Sequence, residues 1–237
     1  MSGLGPSEQS RPDVERLAVT AAHDLRTPLG GIAGFAALLS TALADQPTSL
    51  AMVEQISGGA RSALSLVDDL LSYVTACAGP APWVRIDLTA LVEQVVAELP
   101  DAAEVVVATP LGDVLGDERL LRLLFRHLLA NAATYVEEGT VPHLEVTARA
   151  QGAGRREVLV ADNARGIEVQ DRERVFEAFE RGSTTYTMEG TGLGLAICTE
   201  VVRRHDGRLG VTPRPGGGST FAFTLPEASA EGDHAPR

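Results

Sequence analysis

Two runs of apolar residues with a seven-residue repeat constrain this chain more than any other feature. From about Val14 to Ala44, the residues Ala18, Ala22, Leu25, Leu29, Ile32, Ala36, Leu39 and Leu43 recur at alternating spacings of four and three. That is the seam of a helix that packs lengthwise on another. Asp45-Gln46-Pro47 breaks the run and Ser49 is a reasonable start for the next helix. There Val53, Ile56, Ala60, Ala63, Val67, Leu70 and Val74 repeat the alternation, so the two helices form an antiparallel hairpin. Phe35, Leu38, Leu50, Leu64 and Leu71 widen each apolar face beyond what one antiparallel partner covers. A second hairpin from another chain covers them in a dimeric four-helix bundle with crossing angles of about 20°. The rest of the same chain is the alternative cover.

Ala78-Gly79-Pro80-Ala81-Pro82 ends the helical periodicity and reads as a linker. Beyond it the spacing predicts a strand at Val84–Asp87, a helix near Leu88–Leu99, a β-rich Glu104–Ala108 and an amphipathic helix near Glu118–Tyr135. Leu144–Ala150 and Glu157–Ala161 read as paired strands around Gln151-Gly152-Ala153-Gly154, and Arg208–Val211 and Thr220–Leu225 as a second pair. Strands mixed with helices, without regular βαβ alternation, predict an α/β sandwich with helices on one face. The expected organisation is a flexible start (1–12), a helical hairpin (13–78), a linker (79–83), an α/β domain (84–226) and a polar, flexible tail (227–237).

The net charge of −12 argues against general affinity for nucleic acid or an anionic membrane surface. All 20 basic residues are arginine, so any phosphate chemistry is local and proceeds without lysine. Cys77 and Cys198 are too few and too far apart for a disulfide framework or a zinc site, which fits buried thiols in a reducing cytoplasm. No stretch approaches the roughly 18 apolar residues of a membrane span, and the first residues lack a signal-peptide layout. The chain is expected to be cytoplasmic, without membrane insertion or its own membrane sensor.

In the first helix, His23 points away from the seam residues Ala22 and Leu25 at about 100° per residue, so its imidazole is expected at the surface. Asp24 can orient the ring through one nitrogen so that the other attacks an electrophile. Thr27 lies one turn on, and Pro28 removes the amide that would bond the Asp24 carbonyl, predicting a bend. A surface histidine beside an aspartate is usually decoration, so these residues alone do not decide.

The second domain carries features suited to a phosphoryl donor. His127-Leu128-Leu129-Ala130-Asn131 leads to Tyr135, and the carboxamide oxygen of Asn131 suits a hard magnesium ion. Asp162-Asn163-Ala164-Arg165-Gly166 places an aspartate at a strand end, where it can accept a hydrogen bond from an adenine amino group. Gly190-Thr191-Gly192-Leu193-Gly194-Leu195 opens an apolar helix whose glycines let backbone amides approach phosphates. In Gly218-Ser219-Thr220-Phe221 the Thr220 hydroxyl can reach the adenine edge. Each feature alone also has an ordinary reading as a turn or a packing glycine.

Together they resemble a known family. His23-Asp24-Leu25-Arg26-Thr27-Pro28-Leu29 closely resembles the phosphoacceptor box of sensor histidine kinases with a HisKA dimerisation domain. The later pieces resemble the N, G1, F and G2 boxes of the GHKL ATPase superfamily, with Phe176 and Phe179 as the F box and residues 182–189 as the ATP lid. The resemblance implies that ATP with Mg2+ phosphorylates His23, that Asp24 is its base, and that Thr27 positions water when the partner is dephosphorylated. It implies a nucleotide site of His127, Asn131, Tyr135, Asp162, Gly166, Arg181, Gly190, Gly192, Gly194 and Thr220, with Asn131 on the metal. It further implies a homodimer and transfer to an aspartate of a response-regulator receiver domain. The Asp24 variant and the short lid look most like the kinase modules attached to bacterial phytochromes. No sensory domain precedes the bundle, so the chain is expected to be a fragment or to take its signal from a separate sensory protein.

Three positions depart from the family pattern. His127 stands where an asparagine is usual, Thr134 replaces a basic residue, and Ala164 replaces the first glycine of the G1 turn, where a positive φ would cost on the order of 1 kcal/mol. The lid carries no basic residue, leaving Arg181 or Arg165 to help neutralise a triphosphate. Two other functions stay open: a degenerate kinase acting as a dimeric phosphotransfer or interaction scaffold, and a serine kinase of the anti-sigma-factor type, which gives no reason for the His23 helix.

Overall fold

The computed structural model of the protein describes residues 11–77, 83–99, 103–108, 110–137, 139–178, 180 and 191–228, with side chains throughout except at 11–20, 23, 75 and 77. The chain divides into two compact units, 1–78 with 187–193 and 79–186 with 194–237.

In the first unit α1 (Arg11–Ala42) and α2 (Pro47–Cys77) form the expected hairpin. The turn closes through the Gln46 amide on the Leu43 carbonyl at 2.8 Å. The second helix starts at Pro47, two residues before Ser49, because a proline's fixed φ suits the first helical position. α1 runs through Pro28 as one helix. The seam divides by heptad position. Ala22 and Ala36 of α1 and Val53, Ala60 and Val67 of α2 are buried within the hairpin. The alternate positions Leu25, Ile32, Leu39, Ile56 and Leu70 stay exposed, as do Phe35 and Leu38. One antiparallel partner therefore satisfies half of each seam. Across the hairpin Arg26 forms an ion pair with Asp68.

The second unit begins with β1 (Val84–Asp87), whose last residue caps α3 (Leu88–Val96): the Asp87 carboxylate accepts from the amides of Thr89 at 2.9 Å and Ala90 at 3.2 Å. α3 stops at Val96 instead of Leu99 because the chain tightens there, with the Glu98 and Leu99 amides bonding carbonyls three residues back. β2 (Glu104–Val107) follows, then β3 (Asp113–Gly116), which pairs antiparallel with β1. β3 leaves no pattern in the sequence, since three of its four residues are buried and no alternation marks it. α4 (Glu118–Thr134), β4 (His143–Gly152), β5 (Arg155–Asp162), α5 (Gly194–Arg204), β6 (Leu209–Pro213) and β7 (Ser219–Pro226) complete the unit.

The main sheet has the order β2-β4-β5-β7-β6, with β2 parallel to β4 and the other pairs antiparallel. Both expected strand pairs are present, and β5 and β7 join them. Alternation places Val146, Val158, Val160, Phe221, Phe223 and Leu225 in the core. They meet the apolar stripes of the helices, including Leu124, Phe125 and Leu128 of α4 and Ile197 and Val201 of α5. Phe125 and Phe223 touch edge to face with centroids 5.7 Å apart; burying each ring contributes about 1.5–3 kcal/mol. The segment expected to fray after Pro226 is anchored at its start: Glu227 bridges Val114 and pairs with Arg156, and the Ala228 amide bonds the Asp113 carbonyl. Among the described residues no helix is long and apolar enough to cross a membrane.

Candidate functional site

In the hairpin unit, His23 lies within α1; Asp24 and Thr27, one residue and one turn further on, are exposed. Exposed side chains on a helix can meet a protein surface or a delivered phosphoryl group without unfolding the seam beneath them. Gly192 falls in this unit, with φ +72°, and the Leu193 amide bonds the Thr191 hydroxyl at 3.2 Å.

The α/β unit brings its own candidates together from four elements. His127 and Asn131 sit four residues apart on α4, so they share a face. Gly194, the first residue of α5, lies against them: a Cβ there would stand 3.3 Å from His127 Nδ1 and 3.8 Å from Asn131 Nδ2. The missing side chain opens the start of α5, whose first-turn amides have no partner within the helix.

Tyr135 caps α4, and its carbonyl accepts from the Arg165 amide at 3.1 Å, tying the turn after β5 to the helix end. In that turn Asp162 is 2% exposed. Its Oδ1 accepts from the amides of Ala164 at 3.0 Å and Ser219 at 2.9 Å. Burial pushes this carboxyl above the usual range, opposed by those two amides and by the charge of Arg214. Gly166, at φ +78°, crosses the Gly218 carbonyl, which would stand 3.3 Å from a Cβ. Thr220 pairs with Ala161 in the ladder, one residue from Asp162. The result is a fixed, buried acceptor at one end and open helix-start amides at the other.

Two of the departures are absorbed locally. Among the described residues the non-glycine positions with positive φ are Ala153 and Asp206, so Ala164 is not strained. Thr134 turns its hydroxyl onto the Ala130 carbonyl at 2.8 Å. His127 keeps a place on the site face of α4. Arg181, Gly190, Phe179 and the lid 182–189 lie outside the described residues. Three contributors escaped the sequence reading: the Ser219 amide, Arg214, and Asn163, whose side chain accepts from the His143 amide at 2.8 Å and donates to the Val141 carbonyl at 3.0 Å. The Gly216-Gly217-Gly218 run, with φ positive at all three, was the available signal for the first.

Comparison with known proteins covers both units. Residues 13–78 match the His Kinase A (phospho-acceptor) domain family, and residues 116–229 match the histidine kinase-, DNA gyrase B-, and HSP90-like ATPase family. The sensor histidine kinase AruS of Pseudomonas aeruginosa is 36% identical over 230 residues, 91% of this chain and 23% of AruS. The phytochrome-like protein Cph1 of Synechocystis sp. is 30% identical over 228 residues, 92% of this chain and 30% of Cph1. The crystal structure of full-length ShkA in complex with AMPPNP aligns with a TM-score of 0.69 at 32% identity, covering 91% of this chain and 46% of ShkA. The chain thus spans less than a third of the length of these two curated relatives. With the phosphoacceptor and ATPase modules matched in that order, the chain belongs to the histidine kinase family.

Proposed function

We propose that this chain is the kinase core of a two-component signalling protein, which transfers the γ-phosphoryl group of ATP to His23 and then to an aspartate of a response-regulator receiver domain. The carrying observation is the buried Asp162 carboxylate. Backbone amides hold one oxygen of it, and the turn that follows it is tied through the Arg165 amide to the Tyr135 carbonyl at the end of α4, the helix whose Asn131 lies beside Gly194. In this reading Asp162 and Thr220 take the adenine, His127, Tyr135, Gly166 and Arg181 line the nucleotide, and Gly190, Gly192 and Gly194 bring amides to the phosphates. Asp24 accepts the proton of the attacking imidazole, and with Thr27 serves a phosphatase activity toward the partner.

Among the described residues no group of three His, Cys, Asp or Glu side chains could hold a metal ion. A magnesium ion fits here through Asn131 plus phosphate oxygens, since Mg2+ commonly binds through few protein ligands. It would neutralise the triphosphate where lysine is absent. The half-satisfied seam favours a homodimer, and the composition favours a cytoplasmic location with input from a sensory domain on this or another polypeptide.

Labelled ATP tests the reading. Incorporation into an acid-labile, base-stable product that disappears in His23→Gln and in Asn131→Asp is the expected result. Nucleotide binding without incorporation would replace it with the scaffold reading.

A further inference from the structure

His205 lies just past the end of α5, fully buried, and the nucleotide site does not use it. Its Nε2 accepts the Asp117 amide at 3.0 Å, and its Nδ1 lies 2.7 Å from the Val201 carbonyl. An acceptor at Nε2 and a carbonyl opposite Nδ1 admit one species, the neutral ring with its proton on Nδ1. Asp117 is the N-cap of α4, and Val201 is in the last turn of α5. The ring therefore spans the two helices that meet at the other end through Gly194 and His127.

The surroundings leave the ring no second position. Trp83 stacks on it with centroids 5.7 Å apart and planes 18° apart. A Cβ on Gly116 would lie 2.6 Å from it. Arg155 of β5 holds the His205 carbonyl at 3.2 Å and the Asp206 carbonyl at 2.6 Å.

We propose that His205 is a positioning residue for the nucleotide site: its neutral imidazole fixes the start of α4 against the end of α5, and so sets how His127 and Asn131 face Gly194. The proposal rests on the nucleotide-site reading above. Protonation places a second N–H at Nε2, opposed to the Asp117 amide, and the bridge opens. The charged groups around the ring are Asp117 with Arg119 from α4, Arg204 and Asp206 from its own segment, and Arg155 from β5; Trp83 and Gly116 bring none. Burial holds the imidazole below its ordinary range, against the pull of the Val201 carbonyl and the Asp117 and Asp206 charges. A lowered folded pKa means that the unfolded chain takes up this proton first. The contribution of His205 to stability is therefore complete above about pH 6.5 and is lost as the pH falls through that value toward the folded pKa, where the folded ring itself takes the proton.

The experiment follows binding of a fluorescent ATP analogue to the full chain from about pH 8 down to the lowest pH at which the chain stays folded, because binding and emission respond at the lowered folded pKa, beside the emission of Trp83, the single tryptophan. An imidazolium stacked on the indole should quench it. In wild type, affinity is expected to fall in step with Trp83 emission. In His205→Gln, which keeps an acceptor for Asp117 but cannot titrate, the tryptophan transition should vanish. Affinity should then fall about three- to tenfold less than in wild type, the weight of one neutral hydrogen bond; titration of the nucleotide itself cancels in that ratio. Parallel profiles in the two proteins, or a tryptophan transition that persists in His205→Gln, overturn the proposal. Should the variant not fold, a Trp83 transition in wild type that no fall in affinity accompanies overturns it equally. Wild type that binds no nucleotide at the upper pH overturns the nucleotide-site reading first.

Discussion

Gly218 crosses the backbone of Asp162 so closely that a Cβ on it would lie 2.0 Å from the Asp162 carbonyl oxygen. With φ at +97° the position is also closed to ordinary side chains. Both effects act where β7 begins and where the Ser219 amide reaches the Asp162 carboxylate. Gly218→Ala is therefore expected to separate the strand start from the G1 turn, costing on the order of 3 kcal/mol or more. Thermal unfolding and nucleotide titration should both register it.

Asp162→Asn should separate binding from stability. Asparagine keeps an oxygen for the Ala164 and Ser219 amides but replaces the second oxygen with a donor. Nucleotide affinity should fall at least about tenfold, the loss of one charge-assisted bond. Stability at neutral pH should hold or rise, because burial raises the folded pKa of this carboxyl. The folded state then binds the proton more readily than the unfolded state, so the aspartate's penalty grows as pH rises from about 3.8 through the folded pKa. Denaturant melts of both proteins across that range check the sign.

Much of this architecture is legible in the residues because it rests on local rules. The heptads state which helical faces are apolar, and Asp87 and the strands around Ala153-Gly154 carry their own capping and turn chemistry. The contributors that escaped are contacts of long sequence separation. The Ser219 amide reaches Asp162 and the His205 ring reaches the Asp117 amide, and neither has a pattern along the chain. β3 escaped because burial on both faces removes the period of two. The cost assigned to Ala164 assumed a positive φ that Gly166 carries instead.

Gly194 and His127 should be coupled. A Cβ 3.3 Å from His127 Nδ1 obliges the ring to give way, so Gly194→Ala should weaken nucleotide binding severalfold, about 1 kcal/mol. Removing the ring relieves the conflict. The loss in the double variant Gly194→Ala, His127→Ala should be smaller than the sum of the two single losses, with a coupling of about 0.5–1 kcal/mol in a binding cycle. Strict additivity would show that the helix start can shift without touching His127.

Arg156 should be a large stability determinant far from the nucleotide site. Its side chain is mostly buried, bonds the Leu111 carbonyl at 3.0 Å and pairs with Glu227, closing the end of β7 onto the strand pair β1 and β3. Arg156→Leu leaves a carbonyl and a carboxylate without their partner, at a cost of about 3 kcal/mol. Glu227→Gln keeps an acceptor and should cost about 1 kcal/mol. Both variants should retain nucleotide affinity under conditions where they are folded.

The two halves of the hairpin seam should respond differently to the same substitution. Ile32 and Ile56 are 46% and 54% exposed within one hairpin, whereas Ala36 and Val67 are 3% and 7% exposed. A glutamate at Ile32 or Ile56 meets water in a single hairpin, so α1 and α2 should still pair; in a four-helix bundle the same charge is trapped at the centre. Either variant should raise the dimer Kd roughly 100-fold, about 3 kcal/mol for a buried charge without a partner. Helical content should stay near wild type. Ala36→Glu and Val67→Glu place the charge inside the hairpin itself and should reduce helical content as well. Sedimentation beside far-ultraviolet dichroism distinguishes the two groups. Monomeric wild-type protein at micromolar concentrations would mean that the exposed half of the seam is covered by something other than a second hairpin.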